Sequence, residues 1–317
     1  MLKLKQVCLT GSSGFIGNHI NHELQKDDIK CFRWNKLKEK ELGHSGILIH
    51  LAASVHQTQD SSLNTLVEFR QINRDLTVSL AQQALKEGVK KFIFISSVKV
   101  IGEKPGAYSI DSRCCPAEPY GISKLEAEQE LEGLFSQQTE AQCIILRLPM
   151  VYGEKNKGNM LSLLNAASRK FILPLAAAKG ERSMVYVKNI ASAISRIVQD
   201  EKPDRPQMQT YFLSDGLDMT SGQLYSAIYR CMHQKKGIFN LPENLFRVGG
   251  KIGSELNKRL KIKVPISAEI VSRLFDEYRF SSKEFCQDYD WSPPFRPEEG
   301  INNTVQWFVK DRTSQRN

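Results

Sequence analysis

Thr10-Gly11-Ser12-Ser13-Gly14-Phe15-Ile16-Gly17 follows the short apolar run Val7–Thr10 and leads into an amphipathic segment. The glycines stand as G-x-x-G-x-x-G between a predicted strand and a predicted helix. Glycines so placed permit a tight turn, a close backbone approach to a pyrophosphate, and close packing of helix on strand. The N–H groups of the helix start then face an anion with a partial positive charge behind them. The stretch predicts dinucleotide binding at Gly11, Gly14 and Gly17, against the plainer reading of a glycine-rich packing turn.

Further short apolar runs lie downstream, at Ile29–Arg33, Ile47–Leu51, Phe92–Ser96 and Cys143–Leu148. Amphipathic stretches such as Leu76–Glu87 and Lys124–Phe135 separate them. Alternation of this kind builds βαβ units, and runs as continuously apolar as KFIFIS suit a parallel sheet covered on both faces. The segment NKLKEKELGHSG is very polar, so the helix between the second and third strands is expected to be truncated. The rhythm changes after Gly153. Leu161–Arg169 reads as a helix, Ser183–Val187 as a strand feeding the helix Ile190–Val198, and Tyr211–Ser214 as a strand. Thr220 reads as the N-cap of a helix Ser221–Met232, and the remainder as helical. The predicted class is therefore α/β: a doubly wound Rossmann sheet with a smaller, mostly α C-terminal lobe. The expected division is 1–155 for the cofactor domain, rejoined by strands near 183–215, and 156–317 for the lobe.

A hydrophobic content of 41% and a charged content of 25% are ordinary globular values. No stretch approaches the roughly 20 apolar residues of a membrane span, and the N-terminal apolar run is too short for a signal peptide. The expectation is a cytoplasmic protein. The net charge of +9 favours anionic partners without choosing among them. The seven cysteines are scattered, with no C-x-x-C spacing, and no H-x-x-x-H pair occurs. No metal site or disulfide framework is expected.

Tyr120-Gly-Ile-Ser-Lys124 sets a phenol and an ammonium on one face of a helix start. A phenol titrates near pH 10. A nearby ammonium favours the phenolate, which lets Tyr120 exchange a proton with a carbonyl or carbinol oxygen. Ser97, just past the strand KFIFIS, would orient that oxygen. Ser97, Tyr120 and Lys124 are the expected catalytic set. The second strand ends Cys31-Phe32-Arg33-Trp34 without the acid that usually binds a ribose hydroxyl. Arg33 could pair with a 2′-phosphate, favouring NADP, or stack on adenine, which leaves NAD open.

These motifs together resemble the extended short-chain dehydrogenases/reductases, the nucleotide-sugar epimerase, dehydratase and reductase family, over essentially the whole chain. TGSSGFIG is similar to the family's cofactor loop and HLAA (His50–Ala53) to its third-strand motif. Asn73 with Thr77 matches the following helix, SSVKVIGE the catalytic-serine strand, EPYGISK the catalytic helix, and LRLPMVYG the strand passing the nicotinamide. The resemblance implies cofactor contacts at Phe15, Ile16, Leu51, Ala52, Ala53, Asn73, Ser96 and Pro149 as well as the glycines, Tyr120 and Lys124. It also implies a UDP-sugar site in the C-terminal lobe, with Asn159 after VYG and Arg182 of R-S-M-V-Y-V-K-N as contacts. Lys99 and His56 are expected at the sugar; His56 reads equally well as a supporting residue. Asn189 departs from the family's usual acid, and a structural role is expected for it. A homodimer through a bundle including the Tyr120 helix is implied too.

SS-x-KV-x-GE, HLAA-x-VH, KGN and R-S-x-V-Y-V are most similar to a reductase subgroup. Its members act on UDP-4-keto-6-deoxy-N-acetylhexosamines, like the UDP-N-acetylquinovosamine dehydrogenases of bacterial surface-polysaccharide (O-antigen) synthesis. The expectation is therefore C4 reduction with NADP or NAD. UDP-hexose 4-epimerisation is the enzymatic alternative. A 4,6-dehydratase would carry an Asp–Glu pair where Val98 and Lys99 stand. A non-catalytic regulator is the alternative from another class, and the intact trio speaks against it. The basic stretch Arg247–Lys263 reads as a solvated helix face or as a contact with an anionic membrane. It is not interleaved with aromatics in the manner of a nucleic-acid site. Tyr289, Trp291, Phe295, Trp307 and Phe308 are expected in the core.

Overall fold

The structure is a computed structural model and describes residues 6–33, 46–54, 63–202, 204–260 and 268–314. Six parallel strands form the main sheet: β1 (Gln6–Thr10), β2 (Lys30–Arg33), β3 (Ile47–His50), β4 (Lys91–Ser97), β6 (Gln142–Leu148) and β10 (Met208–Phe212). Their spatial order is β10-β6-β4-β3-β1-β2. The chain runs from β1 out to β2 and then returns to the other side of β1 with β3. Strand order reverses there, so a crevice opens beyond the C-terminal ends of β1 and β3, where doubly wound sheets bind their ligands.

Alternate strand residues cover opposite faces, as a side-chain period of two requires. Val7, Leu9, Ile93, Ile95, Ile144 and Leu146 point to one layer. There they meet Ile20 and Leu24 of α1 (Phe15–Lys26) and, farther along the chain, Ile190, Ile194 and Ile197. Cys8, Leu48, Phe92, Phe94, Cys143 and Ile145 point to the other. That layer holds Leu80, Ala81 and Ala84 of α3 (Leu76–Lys86) and Ala127, Leu131 and Phe135 of α4 (Pro119–Phe135). The helix expected from Leu76 begins earlier, with α2 (Leu63–Phe69), and joins α3 through a π turn at Arg70–Asp75. The wide turn carries Asn73 to a fully buried position.

A third cluster, including Tyr152, Tyr186, Tyr225 and Phe308, forms the core of the C-terminal lobe. It involves α5 (Asn159–Ser168), α7 (Ser221–His233) and α11 (Pro297–Ser314), with α6 (Val187–Gln199) running back to the main sheet. Thr220 caps α7 in a reciprocal capping box with Gln223. Two small sheets complete the fold. One orders β11 (Met219–Thr220), β8 (Glu181–Arg182), β12 (Tyr278–Phe280) and β5 (Gly106–Tyr108); the other pairs β7 (Met150–Tyr152) with β9 (Met184–Tyr186). Of the strands at 181–212, β10 lies in the main sheet and β8 and β9 in these small ones. β12 corrects the reading of an all-helical C-terminus. Three residues of one strand are too few for periodicity to betray, and β12 is stabilised by distant β5 and β8. In the chain α8 (Glu243–Leu260) and α9 (Ala268–Phe275) precede it and α10 (Lys283–Tyr289) follows. The polar connection after β2 lies outside the described residues.

Candidate active site

Gly11 leaves β1 at φ +66°, and a Cβ there would stand 2.9 Å from the Ala52 nitrogen. A Cβ on Gly17 would lie 2.3 Å from the Gly11 oxygen. Only glycine lets the turn close against β3 while α1 packs onto it. Gly14 is the N-cap of α1 with no side-chain cap, and the first turn carries no acid. The helix start therefore presents N–H donors and a positive dipole end to the crevice, a cradle that fits a dinucleotide pyrophosphate. Phe15 and Ile16 are half-buried and pack against the lobe core. The backbone of Arg33 ends β2, but its side chain, like all of His56, lies outside the described residues.

A chain of neutral hydrogen bonds fastens this loop to the catalytic helix. Thr77 Oγ1 donates to the Asn73 oxygen at 2.8 Å, so it accepts from His50 Nε2 at 2.9 Å. His50 Nδ1 is then an acceptor and takes the Thr10 hydroxyl at 2.7 Å. Thr10 Oγ1 in turn accepts from the Leu51 and Ala52 nitrogens at 3.1 and 3.2 Å. Burial, with a smaller contribution from the charge of Lys124, pushes His50 down to about 3. The imidazole is neutral across physiological pH. On the other side, Asn73 pairs with the Ser54 backbone in both directions and donates to Ser123 Oγ at 3.0 Å. Ser123 donates to the Tyr120 oxygen at 2.9 Å. Asn73, Leu51 and Ala52 thus hold the shape of the crevice wall, with Ala53 half-buried in the same segment.

The structure brings Tyr120 and Ser97 together. Ser97 ends β4, caps the short 3₁₀ turn Val98–Val100 by accepting from the Lys99 nitrogen, and sets its hydroxyl beside the Tyr120 phenol. Burial pushes the phenol above its usual range, and the neighbouring Ser97 hydroxyl partly offsets this. Phe69 packs edge-on against the ring at 6.0 Å. Gly121 makes the approach possible, since a Cβ there would lie 2.5 Å from the Lys99 oxygen. Lys124 sits one turn along α4, buried, with Nζ donating to the Ile95 oxygen at 2.7 Å and lying 3.9 Å from the Phe94 ring centroid. Burial lowers it to about 7, against an opposing pull from Glu128. The ammonium is thus held on the strand that carries Ser97.

Beneath the trio lies a charged cluster that the sequence reading missed. Arg147 on β6 grips Glu128 on α4 at 2.7 Å, with both side chains almost wholly buried. Ser96 donates to the same carboxylate at 2.5 Å. Ser96, expected at the cofactor, is therefore engaged inward. The lone signal was Glu128 four residues beyond Lys124, on the same helix face.

The expected substrate contacts are dispersed. Asn159 is exposed at the start of α5, after Gly158 at φ +81°. Arg182 is half-buried in β8, its guanidinium 5.9 Å from the Tyr278 ring centroid. Lys99 is paired with Glu103 at 2.8 Å and Glu118 at 3.2 Å. Pro149 is buried between β6 and β7. Asn189 donates to Asp215 at 2.7 Å and exchanges two bonds with the Phe295 backbone. Asp215 also accepts from the Tyr152 phenol and the Tyr186 nitrogen, and burial lifts it to about 6. An acid at 189 would set two carboxylates face to face. Among the described residues, no group of three or more His, Cys, Asp or Glu side chains could hold a metal ion. No described helix is long and apolar enough to cross a membrane.

The profile of the NAD dependent epimerase/dehydratase family matches residues 7–209. The chain belongs to that family. These are the extended short-chain dehydrogenases/reductases, and the chain is an NAD-dependent enzyme of that kind. Relatives within the family span almost all of it. A UDP-glucose 4-epimerase of Vibrio cholerae is 27% identical over 331 residues, covering 96% of each chain. The N-acetyl-alpha-D-glucosaminyl-diphospho-ditrans,octacis-undecaprenol 4-epimerase of Escherichia coli O157:H7 is 26% identical, covering 95% of this chain and 94% of its own. The solved structure of MoeE5 in complex with UDP-glucose and NAD has the same fold at a TM-score of 0.72 and 19% identity, covering 97% of this chain and 99% of that one.

Proposed function

We propose that the protein moves hydride reversibly at C4 of a UDP-hexose, acting as a reductase of a UDP-4-keto-6-deoxy-N-acetylhexosamine. The observation that carries this reading is the buried Tyr120 phenol beside Ser97 at the C-terminal end of β4, in the same sheet whose β1 ends in the glycine loop. The nicotinamide cofactor, NADP or NAD, supplies the hydride when bound. Tyr120 gives its proton to the C4 oxygen, and Ser97 fixes that oxygen in line with the phenol. Lys124, one turn along α4, tunes Tyr120 while its ammonium is protonated, below about pH 7. Arg182 and Asn159 are the proposed contacts to the UDP half, and an arginine fork matches phosphate oxygens. Lys99, two residues past Ser97, is the proposed contact to the sugar. The absence of an acid at the end of the second strand supports reduction with an exchanging cofactor, and the Val98-Lys99 pair speaks against a 4,6-dehydratase.

In this reading the enzyme serves surface-polysaccharide synthesis in the cytoplasm as a homodimer. Val67, Ile72 and Leu76 are exposed along α2, the π turn and α3 beside α4, which supports pairing through that face. UDP-hexose 4-epimerisation is the second reading, favoured by the name of the Vibrio cholerae relative; the Escherichia coli relative is also named a 4-epimerase, of a lipid-linked N-acetylglucosaminyl diphosphate.

The test mixes the protein with NADPH or NADH and UDP-4-keto-6-deoxy-N-acetylglucosamine made in place by a dehydratase, and follows the reduced-nicotinamide absorbance. Consumption is expected, with a loss on the order of 10²–10⁴-fold in Tyr120→Phe. Interconversion of UDP-glucose or UDP-N-acetylglucosamine with its C4 epimer, without net cofactor use, would replace the reductase reading with the epimerase.

A further inference from the structure

α8 is anchored on one side and bare on the other. Phe246 is buried against Phe275 of α9, with ring centroids 5.7 Å apart. Leu245, Val248 and Ile252 follow at i, i+3 and i+7 and form a stripe turned to solvent. A second apolar element stands beside the start of this helix. Leu173 donates to the Gly237 oxygen and Phe239 to the Leu173 oxygen, both at 3.0 Å, so the turn after α5 is tied to the segment entering α8. Phe171, Ile172 and Phe239 are exposed on these two tied segments. All six apolar side chains are 48–58% exposed. Three lie in one helix stripe and three on the two tied segments that lead into that helix, a grouping that single scattered surface hydrophobes do not show.

Their surroundings are cationic. Arg169, Lys170, Lys235, Lys236 and Lys251 are exposed within the same segments. Arg247 and Glu243 satisfy one another at 2.5 Å, and Glu255, exposed farther along α8, is outnumbered by these five cations. In sequence the stretch continues with Lys258, Arg259, Lys261 and Lys263. A second copy of this chain brought onto the surface would set cation against cation. An apolar stripe flanked by lysines and arginines is complementary to a bilayer with anionic headgroups: the aliphatic and phenyl groups enter the acyl boundary while the cations stay at phosphate level.

We propose that the α8 stripe and the Phe171–Ile172–Phe239 turn dock this protein on an anionic membrane surface. Docking of this kind holds the enzyme at the bilayer through side chains on its surface. The surface lies outside the Ser97–Tyr120–Lys124 site, so this inference is independent of which sugar is the substrate.

The experiment is sedimentation of the full chain with vesicles of phosphatidylcholine alone and with about one-third phosphatidylglycerol. Binding is expected to the anionic vesicles, at least about tenfold weaker to the neutral ones, and to weaken with salt. Val248→Asp with Ile252→Asp should lower binding by about tenfold or more, and reversing Lys235, Lys236 and Lys251 to Glu by about fivefold per charge. Both variants should keep the wild-type melting curve and the wild-type rate on a water-soluble substrate. Equal binding to both vesicles, none to either, or variants that bind like wild type would overturn the proposal. So would a light-scattering mass that halves in Val248→Asp with Ile252→Asp, which assigns the surface to a second copy.

Discussion

Two polar networks flank the first three turns of α4, built on opposite principles. On the crevice side, Thr10, His50, Thr77, Asn73 and Ser123 form a chain of neutral hydrogen bonds from the glycine loop to the Tyr120 backbone. Beneath the trio, the Glu128–Arg147 ion pair and the Ser96 hydroxyl that donates to it form a compact knot. The neutral chain positions groups over a long path while adding no charge near the phosphates. The knot ties α4 to β4 and β6 with charges that must remain paired, and Glu128 raises Lys124 while burial lowers it. The difference is one of vulnerability. A buried ion pair fails badly when one partner goes, whereas a neutral chain loses one link at a time.

Breaking the knot should give the largest effect. Arg147→Met leaves Glu128 buried and unpaired, and denaturant titration should show a loss of about 3–5 kcal/mol. The double variant Arg147→Met with Glu128→Leu should recover most of it, because an apolar pair removes the desolvation cost along with the charge. A double variant as unstable as the single one would mean that the knot is not acting as an ion pair.

Cutting the neutral chain should cost less. His50→Leu orphans the Thr10 and Thr77 hydroxyl partners, an expected loss of about 2–4 kcal/mol. It should also change the pH dependence of stability. The folded pKa of His50 is depressed to about 3 from an ordinary 6.5. The native state therefore resists the proton that the unfolded chain accepts, and stability present above pH 6.5 is lost as pH falls toward 3. His50→Leu should flatten that slope, measured by melting between pH 7 and 4. An unchanged slope would mean that other groups carry the acid sensitivity.

The mildest test addresses the point where the two networks meet. Lys124 titrates at about 7, because burial lowers it. As pH rises through 7 the ammonium loses its proton, so a step that needs its charge should slow by up to about tenfold per unit above that point. Lys124→Arg keeps its charge throughout and should move this limb upward, even at a lower maximal rate. A limb that stays near 7 in that variant would assign the titration to another group.

The legibility of these parts followed their spacing. The cofactor loop was readable because Gly11 and Gly17 sit where a Cβ has no room, a demand that only one residue type meets. Tyr120 and Lys124 were readable because four residues along a helix fix a shared face. The Glu128–Arg147 pair was not, because it joins a helix to a strand 19 positions away and no local period links them. The early start of the Asn73 helix was hidden by its π turn, which breaks the 3.6-residue rhythm. Asn189 looked like a departure from a family pattern. Its meaning appeared only beside Asp215, 26 positions later, where an amide is required to avoid two facing carboxylates.

The link between the two halves of the catalytic set has a consequence for how the chain is made. β5 lies in the connection from Ser97 to Tyr120, and its partner is β12, near the end of the sequence. Gly106 donates to the Glu277 oxygen, Ser281 to the Tyr108 oxygen, and the Tyr278 hydroxyl to the Gly102 oxygen. A chain emerging from the ribosome can form its sheet from β1 to β6 while this connection still lacks its partner. The site is fastened only after Tyr278–Phe280 have left the exit tunnel, so a nascent or truncated chain that stops short of them holds every catalytic residue in an unfinished active site.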